Sequence, residues 1–188
     1  MSNQIEDQTN TYTLSILTEN EVGLMQRVVT SFTKRKININ SFIASETENK
    51  DIYRFTIVIQ ATEKMVHKVA KSLETILEVF RVIVYADEDL VYQELALYKI
   101  PTKAVLESNK IETIVRRNNA RILSVGKEYT IIEKTGHKER TQELFEILEP
   151  FGISAFTRSG RIAVSNRKMD KVNKYLEKQL AKDPATFN

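Results

Sequence analysis

Thr18, Glu21 and Gly23, in the stretch TENEVGLMQRV, bring together residue types that can do chemistry where a helix begins. T-x-x-E is the pattern of a capping box, in which a threonine hydroxyl and a glutamate carboxylate each satisfy an orphan amide of the first turn. The box leaves Gly23 unexplained, because a glycine in the first or second turn costs about 1 kcal/mol against alanine. A residue without Cβ does let something approach the first-turn amides closely, and those amides with the helix dipole favour a carboxylate or a phosphate. From the residues alone both readings stand: a structural helix start, or an anion-binding one.

Other chemistry finds little material. With no cysteine there is no disulfide framework, thiolate nucleophile or cysteine-ligated metal, which suits a reducing compartment. His67 and His137 have no partner at ligand spacing and read as solvent-exposed residues, so neither a metal site nor a general base is expected. Carboxylates are plentiful, but no pair can be assigned to one cleft. No GxGxxG follows a strand, no GxxxxGK[ST] occurs, and five glycines leave little for a phosphate-cradling loop. No catalytic residue is expected.

Net charge is +3, from 28 basic and 25 acidic residues interspersed along the chain, which is weak support for nucleic-acid binding. Lys34-Arg35-Lys36 and Arg116-Arg117 each fall near the end of a predicted helix, where cations complement the helix dipole. No run approaches the roughly 18 apolar residues needed to span a bilayer. The start, MSNQIEDQTN, has neither a basic nor an apolar leader segment, and a cytoplasmic location is expected.

The elements that must position these residues come in two similar sets. Tyr12, Leu14 and Ile16 alternate with Thr13, Ser15 and Leu17 as a strand; Val22, Met25, Val28, Val29 and Phe32 follow at helical spacing. A strand over Asn38 to Thr47, the turn-like Glu48 to Asp51, and the alternation of Tyr53, Phe55, Ile57 and Ile59 predict a hairpin. Met65 or Val66, Val69, Leu73 and Ile76 predict a second helix, and Val79 to Tyr85 a central strand. After the acidic break Asp87-Glu88-Asp89 the order repeats. Strand Val91 to Ile100 leads to helix Lys103 to Arg117 and strands Arg121 to Val125 and Tyr129 to Glu133. Helix Lys138 to Leu148 comes next, with Thr141, Leu144, Phe145 and Leu148 on one face, and then strand Gly152 to Thr157. Arg161 to Val164 and a last helix carrying Met169, Val172 and Leu176 end the chain. The fold class is α+β, two ferredoxin-like βαββαβ domains: residues 11–87 and 88–188, with polar residues 1–10 disordered.

The run LSILTENEVGLMQRVVTSFTKRKININSF, with the later YRFTIVI and FRV, resembles the amino-terminal ACT domain of the regulatory small subunits of acetolactate synthase. It carries E-N-x-x-G-x-L/M-x-R-V followed by an R-x-x-N-I strand. ELALYKI, IIEKTGHKERTQELFEILEPFGI and RSGRIAV are similar to the family's carboxy-terminal domain, so the resemblance spans nearly all of residues 11–180. It implies a non-catalytic chain, homodimeric through its ACT domains, that binds and activates a catalytic large subunit. Thiamine diphosphate, magnesium and FAD are expected on that partner, and no cofactor on this chain. It further implies feedback inhibition by valine or another branched-chain amino acid bound between two ACT domains. Residue by residue, Asn20 and Gly23 match the effector loop, and the amides of Leu24 and Met25 are expected to face the ligand carboxylate. Asn38, followed by Ile39, matches the second-strand position contributed by the other protomer.

Two positions depart from the family pattern. Arg35-Lys36-Ile37-Asn38 stands where Arg-Gly is common, so the turn is expected to form without glycine's access to positive φ. Met25 and Gln26 replace residues that are frequently small, which is expected to alter the pocket. A rival reading is RNA binding, because RNA-recognition modules share the βαββαβ order and stack bases on third-strand aromatics. Tyr53 and Phe55 occupy that strand, but the glycine-containing RNP1 signature is missing and core packing is the simpler role. A stand-alone amino-acid sensor with another partner is the third reading.

Overall fold

The computed structural model describes residues 8–107 and 109–166. They divide into two compact units: residues up to Val91 together with 163–166, and Tyr92–Ile162.

In the first unit, β1 (Asn10–Glu19), α1 (Leu24–Thr33), β2 (Ile39–Glu46), β3 (Ile52–Ala61), α2 (Glu63–Leu73) and β4 (Val79–Ala86) follow in βαββαβ order. The antiparallel sheet has the order β2-β3-β1-β4, so β2 lies at an edge. Leu14 stands opposite both Ile57 and Val84, and this register places Tyr12, Leu14 and Ile16 on one face with Phe55, Ile57 and Ile59. The strand period of two makes that face continuous. Leu24, Val28 and Phe32 of α1 and Val66, Val69 and Leu73 of α2 close over it as one buried cluster. Thr13, Ser15 and Leu17, on the other face of β1, are buried too.

The apolar face of α1 is rotated from the one read in the sequence. Val28 and Phe32 are core as expected, but Leu24 joins them, while Val22, Met25 and Val29 lie at the surface. Residues 22, 24, 25, 28, 29 and 32 are all apolar, so periodicity alone admits two stripes; the turn that starts the helix decides between them.

The end of α1 overturns a second expectation. Lys36 takes φ 55°, the left-handed conformation that a lysine was expected to avoid. The Ile37 amide donates to the Phe32 carbonyl and the Lys36 amide to Thr33, at 3.1 and 2.9 Å, which is a Schellman closure with lysine at the usual glycine position. Ile37 and Phe32 belong to the same buried cluster, and their packing supplies the hydrophobic contact of that motif.

Further along the chain, β5 (Leu90–Pro101), α3 (Thr102–Glu107), α4 (Asn109–Arg117), β6 (Arg121–Val125), β7 (Tyr129–Gly136), α5 (Lys138–Leu148) and β8 (Ala155–Arg158) repeat the plan. All but the first two residues of β5 lie in the second unit, and β9 (Ile162–Ser165) follows, its last three residues grouped with the first unit. The strand order is β6-β7-β5-β8, with β9 also pairing with β5. Ala96, Tyr98 and Ile100 face Ile132, Ile111, Val115, Leu144 and Leu148 across a second core. Helical structure expected as one element over Lys103 to Arg117 is described as α3 and α4. The strand expected from Gly152 begins at Ala155, because Gly152, at φ 85°, closes a short 3-10 turn over Glu149–Phe151. Of the segment expected to be disordered, residues 1–7 lie outside the described residues and Asn10 opens β1 opposite Ala61. The last predicted helix also lies outside them.

Candidate ligand site at the start of the first helix

The loop between β1 and α1 is built on one backbone requirement. Gly23 has φ 83° and ψ −8°, and the Leu24 amide donates to the Glu21 carbonyl at 3.3 Å. These are the dihedrals of the third residue of a type II turn, where only glycine is at ease. A Cβ at Gly23 would meet no atom within 4 Å, so the glycine is demanded by the chain's path, and the space above it is open as well.

The capping box does not form. Thr18 is inside β1 and fully buried, its hydroxyl without a hydrogen-bond partner, and the start of α1 carries no side-chain cap. Strand pairing of Thr18 with Tyr53 and Val79 outcompetes the cap. The contrast with α2 is direct: there the Thr62 hydroxyl accepts from the Met65 amide.

An uncapped start leaves donors open. The Leu24 amide, expected to face a ligand, is engaged by the turn, and its side chain is in the core. The Arg27 amide reaches back to the Gly23 carbonyl at 3.3 Å. Between them, the amides of Met25 and Gln26 belong to the first turn and have no intrahelical carbonyl to bond. Two adjacent donors at the positive end of a helix can hold a carboxylate. Val22, 96% exposed, and Met25, 47% exposed, place apolar surface on the same turn. Asn20 is exposed beside it. Asn38 is exposed and Ile39 half-buried at the start of edge strand β2, where the Schellman closure delivers the chain.

Two residues near the loop carried no role in the sequence reading. Arg27 Nη2 pairs with Glu78 Oε1 at 2.8 Å, and the Glu78 carbonyl accepts from the Glu19 amide at 3.0 Å. The Arg27 hydrogen bond, with the residue's own amide, holds the Glu78 carboxyl below the usual carboxylate range, and the same bond pushes the Arg27 guanidinium up. Arg27 was visible within the motif; Glu78, about fifty residues further on, had no local signal.

Among the described residues no group of three metal-ligating side chains occurs, and no helix is long and apolar enough to cross a membrane. His67 lies 3.9 Å from Glu63 on an exposed helix face, and His137 stacks on Tyr92. Phe55 is 5% exposed and packs against Phe42, while the Tyr53 hydroxyl donates to Glu46 at 2.8 Å. The aromatic pair therefore presents no stacking platform of the kind RNA recognition requires.

The chain's relatives agree with this architecture. Residues 14–81 match the small-subunit-like ACT domain of acetohydroxyacid synthase, and residues 93–167 match the small subunit of acetolactate synthase. The acetolactate synthase small subunit of Mycobacterium bovis is 36% identical over 155 residues, covering 82% of this chain and 92% of that one. A probable acetolactate synthase small subunit of Archaeoglobus fulgidus is 32% identical over 155 residues, with 81% and 95% covered. The crystal structure of the small subunit from Thermotoga maritima superposes with a TM-score of 0.76 at 25% identity, covering 85% of this chain and 99% of its own. Two ferredoxin-like units in succession, the first an ACT domain, and relatives matched over nine-tenths of their length lead to one conclusion: the chain belongs to the acetolactate synthase small-subunit family.

Proposed function

We propose that this regulatory small subunit activates a catalytic large subunit of acetolactate synthase and lets a branched-chain amino acid, valine in the first instance, inhibit the complex. The observation that carries the effector half is the uncapped start of α1, where the Met25 and Gln26 amides stand open above a turn that only Gly23 can make comfortably. An amino-acid carboxylate fits those donors, and Val22 and Met25 offer apolar surface to an aliphatic side chain. Asn20 meets the ligand from the same loop. Asn38, with Ile39 behind it, comes from a second protomer in a homodimer formed through the ACT domains, consistent with the edge position of β2. The chain works in the cytoplasm and binds no cofactor of its own; thiamine diphosphate, magnesium and FAD belong to the catalytic partner.

The mechanism is linkage. If effector and large subunit favour different arrangements of the dimer, a coupling of about 1 to 3 kcal/mol makes a useful switch. The test uses paired substitutions in the reconstituted complex. Gly23→Asp should abolish valine inhibition by setting a carboxylate against the ligand's own. Gly23→Asn, equal in size, neutral and tolerant of the left-handed conformation, should retain most of it. Equal inhibition in the two variants would remove the carboxylate from this site. A pull-down with the native chain should return a thiamine-dependent synthase.

A further inference from the structure

The effector loop leaves the sheet at Glu19 and is secured in α1 at Arg27, and one residue holds both places. The Glu78 carbonyl accepts from the Glu19 amide at 3.0 Å, and its carboxylate takes the Arg27 guanidinium at 2.8 Å. Glu78 is itself held in place: its side chain is 19% exposed, and the next residue, Val79, donates to the Ile76 carbonyl at 3.0 Å before entering β4. Within the loop the turn from Glu21 to Leu24 closes the backbone, and no side chain caps the helix.

We infer that Glu78 is a positioning residue for the effector site, a two-point clamp that sets where the Met25 and Gln26 amides point. The inference rests on the effector reading given above. The physical reasoning is that a ligand held by two backbone donors depends on the direction of the helix start. That direction is set by two distances: from the end of β1 to the sheet, and from the second turn of α1 to the sheet. Glu78 fixes both from one backbone position. Arg27 has a second effect, because it neutralises a carboxylate that would otherwise oppose an anion bound nearby.

The test is Glu78→Gln in the full chain, with Arg27→Lys as the charge-conserving companion. Amide hydrogen exchange in the ligand-free protein should speed about tenfold at the bonded amides of Leu24 and Arg27 in Glu78→Gln, while the amides of Leu14 to Ile16 stay protected. Calorimetric valine affinity should fall about tenfold, a coupling of ordinary size, with the urea midpoint little moved. Arg27→Lys should lie between native and Glu78→Gln in both measurements. Unchanged exchange in Glu78→Gln overturns the clamp whatever the ligand. Faster exchange with unchanged valine affinity overturns its role in binding. A native chain that binds no branched-chain amino acid defeats the effector reading itself, and the exchange comparison still decides the clamp.

Discussion

Lys36 and Asn119 close α1 and α4 with the same backbone geometry, φ 55° and 51°, at matching places in the two units. In each, the residue after the left-handed one donates five positions back: Ile37 to Phe32 at 3.1 Å and Ala120 to Val115 at 2.9 Å. The two closures differ in how well their residues suit the conformation. Asparagine enters the left-handed region more readily than lysine does.

Lys36→Gly should therefore stabilise the protein. Relief of the left-handed strain is worth about 1 to 2 kcal/mol, and glycine's greater freedom in the unfolded chain takes back about 0.4 to 1 kcal/mol. Asn119→Gly should change little. Urea unfolding checks this: the midpoint should rise for Lys36→Gly at an unchanged slope.

At Gly23 the sign reverses. Gly23→Ala meets no neighbour but must hold φ near 83°, so a loss of about 1 to 2 kcal/mol is expected, with Gly23→Asn losing less. An alanine variant as stable as the native chain would show that the turn can relax.

Tyr98 gives a measurable alkaline limit. Its hydroxyl donates to the Thr141 carbonyl at 2.5 Å in the second core, and burial pushes its pKa up to about 12. A raised pKa stabilises the fold fully below the unfolded value near 10, and that stabilisation, about 2 to 3 kcal/mol, is lost as pH climbs toward 12. Tyr98→Phe should cost about 1 to 2 kcal/mol at neutral pH and flatten the decline above pH 10. Chemical unfolding at stepped pH separates the two effects.

Glu78 gives the acid counterpart. Its carboxyl is held below the usual range by Arg27, so the pair's stabilisation is complete above the ordinary glutamate pKa and fades as pH falls through the lowered value. In Glu78→Gln that component of acid sensitivity should vanish, as amide exchange near the loop at acid pH can register.

The element order was legible because it rests on periodicity. Tyr12, Leu14 and Ile16 at period two, and Val66, Val69 and Leu73 at helical spacing, can bury one face in only one way. The errors came where backbone conformation or distant packing decided. Thr18 and Glu21 spell a capping box, but a strand that pairs on both sides keeps Thr18. Leu24 rather than Met25 turns inward because the type II turn sets the helix phase, and no hydrophobic pattern records that phase. Lys36 shows that a Schellman closure can hold without glycine when Ile37 and Phe32 pack behind it. For the candidate site, Gly23 was legible as an anomaly, whereas Glu78 depends on a contact between residues remote in sequence.

The edge strand β6 has a consequence for handling the protein. All five of its residues are exposed, with Ile122, Leu123 and Val125 at 38%, 49% and 62%. An apolar edge with free backbone groups is a template for joining another strand, and proteins usually blunt it with lysine, proline or a bulge. β6 has a register shift between Ile122 and Ser124, but neither lysine nor proline within the strand. The shelf life of a concentrated stock is then set by this strip, and Leu123→Lys should extend it without touching either core, as light scattering over days would record.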